Sequence, residues 1–297
     1  MPKLLPPVPQ IEAYIRSLGI DDNDNVVLVH SGIPGSAHDF GSAARVSWTF
    51  KVLGHDAVSI LDGGLAGWKD AGQPVATSAT EPAAPGDFTA TFDRSIYAST
   101  ADVAAAIDGP VTLVDSRDHE AFVGSKQTPY VAAAGTIPTS VNVDADTMLD
   151  GVKMAGADSL RMILAVAGED AEASAITFCD SGHLSAVTWF AQHEILGNTQ
   201  VWLDDGMDDE GWKVPSGHRR RCRELMPARA IAATWYCACA FDRPAQVEDE
   251  PAYRERDEGE GRGGFQTSIC RMTGPMIAKH EPDSDISCLG QTLDTLL

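Results

Sequence analysis

The chain repeats itself. The segment VVLVHSG…SAARVSWTFKVLGHDAVSILDGG, from Val26 to Gly64, matches ITFCDSGHLSAVTWFAQHEILGNTQVWLDDG, from Ile176 to Gly206. An offset of 143 pairs Gly54 with Gly197, Ser42 with Ser185, Ala43 with Ala186, Asp62 with Asp205 and Gly63 with Gly206. Two copies with one pattern call for one local fold used twice. Each begins with a short apolar run, Val26–Val29 or Ile176–Phe178, which reads as a buried strand. A loop follows, then a helix-length segment ending in Leu-Gly, where Gly54 or Gly197 suits a left-handed cap. The next apolar run, Val58–Leu61 or Val201–Leu203, is a second strand. Strand, loop, helix and strand with continuous apolar strands predict an α/β fold with a parallel sheet.

The copies differ in content. The loop of the second holds Cys179 and reaches Ser185 within six positions, whereas the first has His30 there and needs twelve to reach Ser42. The second copy also has α/β sequence upstream: a strand candidate at Val111–Asp115, a turn and strand over Gly135–Val143, and a helix over Ser99–Ile107. In that helix Val103, Ala106 and Ile107 share one face. The first copy has 25 residues before Val26, so its upstream half is expected to be missing and a sheet edge left uncovered. Gly72–Asp87 is rich in Pro, Ala, Gly and Thr and reads as a linker. After Ser216 the character changes to HRRRCRE and then EDEPAYRERDEGEGRGG, which predicts a tail without an organised fold. The expected division is an incomplete inactive unit at 1–75, a linker at 76–95, a catalytic unit at 96–217 and the tail at 218–297.

Composition narrows the partners. Forty-three acids against 22 bases give a net charge of −21, which disfavours nucleic acid and anionic membranes. No apolar run approaches the roughly 20 residues of a spanning helix, and MPKLLPPVPQ lacks a signal-peptide core. A cytoplasmic monomer is expected. Of six cysteines, five lie in the last third, and Cys237 with Cys239 has no second pair at ligand spacing, so neither metal nor cofactor is expected.

Cys179 stands alone in the body of the chain, directly after a strand and in a short loop that opens a helix. Inward-pointing amides and the helix N-terminus favour an anionic sulfur there. Gly182 allows a tight curl, Ser181 and Ser185 supply hydroxyls, and His183 adds a proton donor. A buried apolar thiol is the competing structural reading. Cys179–Ser185 resembles the rhodanese active-site loop, C-x-x-G-x-x-[AST]. ARVSWTFKVLGHDAVSILDGGLAGW (Ala44–Trp68), LVDSRDHEAFVG (Leu113–Gly124) and Asp205–Gly206 are similar to rhodanese segments too, and the resemblance runs roughly from Leu4 to Val214.

That resemblance implies two rhodanese-like α/β domains, the second catalytic, and a sulfurtransferase acting on thiosulfate or 3-mercaptopyruvate. It implies that Cys179 takes the outer sulfur as a persulfide and passes it to cyanide or a thiol. It further implies that the loop amides of Asp180, Ser181, Gly182, His183, Leu184 and Ser185 stabilise that sulfur. Arg117 matches a family arginine that binds the anionic donor. Asp180 is a departure: a carboxylate beside the thiol works against its charge and repels anionic donors. GTIPTS at Gly135–Ser140 departs from the family G-H-I-P-G-A turn. A non-catalytic sulfur-carrier or protein-binding module is the alternative reading. Phosphatase or arsenate-reductase chemistry is a third, disfavoured by the short loop and by Asp180.

Overall fold

The structure is a computed structural model that describes residues 5–75, 82, 84–129, 131 and 133–204, with the backbone of 268–272 and 286–292. The first unit opens with α1 (Val8–Ser17), which buries Ile11 and Ile15 one turn apart. It continues through β1 (Asn25–Val29), α2 (Ala37–Val52), β2 (Val58–Ile60) and α3 (Gly64–Asp70). The second unit runs through β3 (Tyr97–Ala98), α4 (Thr100–Ala106), β4 (Thr112–Asp115), α5 (His119–Val123) and β5 (Val141–Asn142). A small antiparallel ribbon of β6 (Leu149–Asp150) and β7 (Lys153–Met154) leads to α6 (Ala157–Ala167). The unit ends with β8 (Ala175–Phe178), α7 (His183–Phe190) and β9 (Val201–Asp204).

Both copies of the repeat thus share an order, β1–α2–β2 and β8–α7–β9, and both pair their strands in parallel. Gly54 and Gly197 sit at φ 84° and 76°, in the left-handed region their position after a helix requires. Ser99 caps α4 in a reciprocal capping box with Asp102, and Val103, Ala106 and Ile107 are buried beneath it.

The second unit forms a five-stranded parallel sheet in the order β3–β9–β8–β4–β5. The chain leaves β4 toward one edge and β8 toward the other, so the sheet reverses direction between these two central strands. In open α/β sheets, ligands bind at the carboxyl ends of the strands beside such a reversal. The first unit holds β1 and β2 in a second sheet. Two strands from the sequence beyond 217 join it, β10 (Ser268–Met272) and β11 (Ile286–Thr292), giving the order β11–β10–β1–β2. The sequence predicted an unorganised tail and an uncovered edge. Instead β10 runs antiparallel along β1 from Asn25 to Val29, where the edge amides and carbonyls need partners. Asp205 and Gly206 lie outside the described residues, as do 76–81 and 83 of the predicted linker.

Helices α2 and α7 pack against each other between the sheets and tie the units together. Gly41 on α2 approaches so closely that a β-carbon there would lie 2.9 Å from the His183 carbonyl oxygen. Phe40 meets Phe190 edge to face at 5.7 Å. The largest buried side chains are Trp48 and Trp189, whose indole N–H groups donate to the Ile96 and Val201 carbonyls at 3.1 and 3.0 Å. Each ring therefore adds apolar burial without an orphaned donor. Trp68 is half-buried and donates to the Pro74 carbonyl at 2.8 Å. No helix among the described residues is long and apolar enough to cross a membrane.

Candidate active site

Strand β8 is buried at every position and delivers Cys179 to the carboxyl end of the sheet's centre. Four loop residues later the chain enters α7. Gly182 makes this possible, because at φ 77° it occupies the helix N-cap in the left-handed region. The curl turns donors onto the sulfur: the Gly182 amide donates to Sγ at 3.1 Å and the Ser185 hydroxyl at 3.4 Å. Sγ therefore faces two donors at the positive end of a helix, a setting that stabilises an anionic sulfur. Cys179 is 1% exposed, so these contacts act away from bulk water.

The other predicted loop residues divide. Asp180 points to the neighbouring strand end, where Oδ1 accepts from Arg117 Nη1 at 2.9 Å and Oδ2 accepts from the Thr128 hydroxyl. Ser181 turns its hydroxyl toward His183 Nδ1, at 3.3 Å, and its carbonyl lies 3.1 Å from the same nitrogen. These contacts hold the His183 ring against its own loop. Leu184 packs its side chain against the main hydrophobic core. Gly182 and Ser185 thus meet the sulfur, Asp180 meets Arg117, and Ser181 with His183 shapes the turn.

Arg117 follows β4 and stands beside the loop, on the other side of the sheet's point of reversal. Nε and Nη2 grip Asp115 at 2.9 and 2.6 Å in a two-pronged contact, and Nη2 also donates to the Gly135 carbonyl at 2.8 Å. Burial works against the guanidinium's charge, but Asp115, then Asp180 and Cys179, hold its pKa above the usual arginine value. Asp115 is fully buried and also accepts from the Thr136 hydroxyl at 2.6 Å. Asn142 on β5 braces the turn by donating to the Asp115 and Arg117 carbonyls. Asp115 and Thr128 were missed as site residues. Asp115 adjoins Arg117 within the quoted D-S-R stretch, whereas nothing in the local sequence marks Thr128.

The loop of the first unit is built on another plan. His30 stands after β1 where Cys179 stands after β8. The amides of Ser31, Gly32 and Ile33 all donate to the Asp39 carboxylate, at 3.1, 2.8 and 2.9 Å. His30 Nδ1 contacts the same carboxylate at 2.9 Å. An internal anion fills the cradle. Burial would raise the Asp39 pKa, but His30 and the three amides overcome it and hold it at about 2.

Comparison with known proteins decides the family. The family model of the rhodanese-like domain matches residues 99–212. A protein of Schizosaccharomyces pombe named Probable 3-mercaptopyruvate sulfurtransferase is 31% identical over 235 residues, covering 75% of this chain and 74% of its own. The chain belongs to the rhodanese family. The thiosulfate sulfurtransferase of Bos taurus is 31% identical over 210 residues, 68% of each chain. The 3-mercaptopyruvate sulfotransferase SseA of Escherichia coli superposes with a TM-score of 0.61 at 26% identity, over 69% of this chain and 75% of its own. This rhodanese is accordingly an enzyme of the sulfurtransferase class.

Proposed function

We propose that this rhodanese moves a sulfane sulfur through a persulfide on Cys179. The observation that carries the reading is the convergence of the Gly182 amide and the Ser185 hydroxyl on Sγ at the end of β8. The Cys179 thiolate attacks the outer sulfur of the donor. A new S–S bond forms as the donor's bond to that sulfur breaks; sulfite leaves thiosulfate, whereas 3-mercaptopyruvate releases the enolate of pyruvate, which takes up the proton of the donor's thiol. The loop donors hold the negative terminal sulfur of the persulfide. A thiol or cyanide then attacks the terminal sulfur and restores the Cys179 thiolate, which is two-step covalent catalysis.

Arg117 positions the loop through Asp180. The division of labour proposed for the chain places chemistry in residues 96–217. Residues 1–75 act as a partner unit whose cradle Asp39 already occupies. Steady-state kinetics with varied donor and acceptor test the mechanism. Parallel double-reciprocal lines, with turnover abolished by Cys179→Ser, are expected. Intersecting lines, or turnover that survives the substitution, contradict it.

A further inference from the structure

We infer that Asp180 sets donor specificity. It occupies one of the two Nη1 N–H groups of Arg117 and sets a carboxylate where an anionic donor would bind, which turns the site toward sulfur carried beside a neutral or cationic group. The inference rests on sulfur transfer at Cys179 and names the class of donor. The Arg117 guanidinium makes four hydrogen bonds to protein: two to Asp115, one to Asp180 and one to the Gly135 carbonyl. Nη1, the nitrogen facing the sulfur-bearing loop, is the one Asp180 holds. Asp180 is itself fixed from its other oxygen by Thr128, and its side chain is 12% exposed.

Charge leads to the same conclusion. Two carboxylates, Asp115 and Asp180, surround one guanidinium, so the group beside Cys179 carries a net negative charge before any thiolate forms. Asp118 and Lys126, paired at 2.6 Å, cancel and add nothing to that balance. The whole chain carries −21. A sulfonate or carboxylate on the donor must share Nη1 with Asp180, and it meets the repulsion of a second carboxylate beside it, partly desolvated at 12% exposure. An ammonium on the donor can sit against Asp180 and leave Arg117 undisturbed. With cysteamine persulfide as the example, Cys179 attacks the outer sulfur and the donor's S–S bond breaks. Cysteamine thiolate leaves with the electron pair, and the transferred sulfur keeps its proton.

The test compares thiosulfate and cysteamine persulfide as donors for the wild type, Asp180→Asn and Cys179→Ser, with sulfur on the protein read by intact mass. Asp180→Asn is expected to raise kcat/KM for thiosulfate about 10-fold or more, chiefly through KM, and to lower that for cysteamine persulfide. An unchanged preference, with Cys179 still loaded, overturns the specificity inference alone. Sulfur retained by Cys179→Ser overturns the persulfide reading instead. Should Asp180→Asn fail to fold, the wild type decides through salt. Raising KCl from about 0.1 to 1 M shortens the screening length from ~10 to ~3 Å. Thiosulfate kcat/KM should then rise and cysteamine persulfide kcat/KM fall; a fall for thiosulfate contradicts the inference.

Discussion

Arg117 Nη1 lies 2.9 Å from Asp180 Oδ1, across 63 positions of sequence, so the guanidinium beside the sulfur is already bound by a carboxylate of the sulfur-bearing loop. The same guanidinium neutralises Asp115, which is fully buried at the end of β4. Removing the cation strands a buried charge, which costs far more than a surface pair is worth. Arg117→Ala should lose about 3–5 kcal/mol in urea unfolding; Arg117→Lys should lose less, because a cation still neutralises Asp115, but not nothing, because a point charge cannot make the two-pronged contact. A loss below about 1 kcal/mol for the alanine variant would show that Asp115 is relieved in another way.

Asp39 should be a structural anion. Three amides and His30 lose their acceptor in Asp39→Ala, and unsatisfied buried donors cost about 1–3 kcal/mol each before relaxation. Its folded pKa, about 2, is below the ordinary 3.8. The stability it contributes is therefore present above pH ~4 and is lost as pH falls toward 2. Urea midpoints between pH 2 and 5 should fall less steeply in Asp39→Asn than in the wild type. Equal slopes would contradict the assignment.

Glu169 carries the opposite sign. It is 3% exposed after α6, and burial pushes its pKa up from 4.5 to about 7. A carboxyl whose folded value is raised is comfortable when protonated. Stability is thus full below pH ~4.5 and declines as pH rises toward 7, by an amount on the order of 1–3 kcal/mol. Glu169→Gln should flatten that decline and make the protein more stable than the wild type near pH 8. A wild-type curve that is flat from pH 5 to 7 would refute this.

The contact of α2 with α7 should reach the active loop. A β-carbon at Gly41 meets the His183 carbonyl oxygen at 2.9 Å and its carbon at 3.3 Å. Gly41→Ala must push α2 and the start of α7 apart, at about 1–3 kcal/mol. Single-turnover sulfur loading of Cys179 should slow relative to Gly156→Ala, where a β-carbon meets nothing within 4 Å. Equal loading rates in the two variants would show that the loop is indifferent to its partner helix.

What was legible in the sequence was local. The repeat, the strand ends at Val26–Val29 and Ile176–Phe178, and the left-handed Gly54, Gly182 and Gly197 follow from apolar runs and from backbone geometry that only certain residues tolerate. The reach of Ser185 to Sγ follows from the same loop length. What was not legible depends on residues that meet only after folding. Asp180 was seen as a neighbour of the thiol; its bonds to Arg117 and Thr128 cross 63 and 52 positions. Asp39 sits in the segment that distinguishes the longer first loop, and no local pattern marks it as a ligand for three amides. The strands Ser268–Met272 and Ile286–Thr292 lie beyond the charged run EDEPAYRERDEGEGRGG, which dominated the reading of the tail. The first of them pairs along β1 and the second along the first, and most of the chain, that charged run included, separates both from β1 in sequence.

The most direct measurement of the central claim is the intact mass of the protein after incubation with a sulfur donor and removal of excess reagent. The wild type should gain about 32 Da, localised to the peptide bearing Cys179 and absent from Cys179→Ser. The gain should be lost again when a thiol or cyanide is added. A folded wild-type protein that gains no sulfur from thiosulfate, 3-mercaptopyruvate or cysteamine persulfide, or that carries the sulfur on another cysteine, would contradict it.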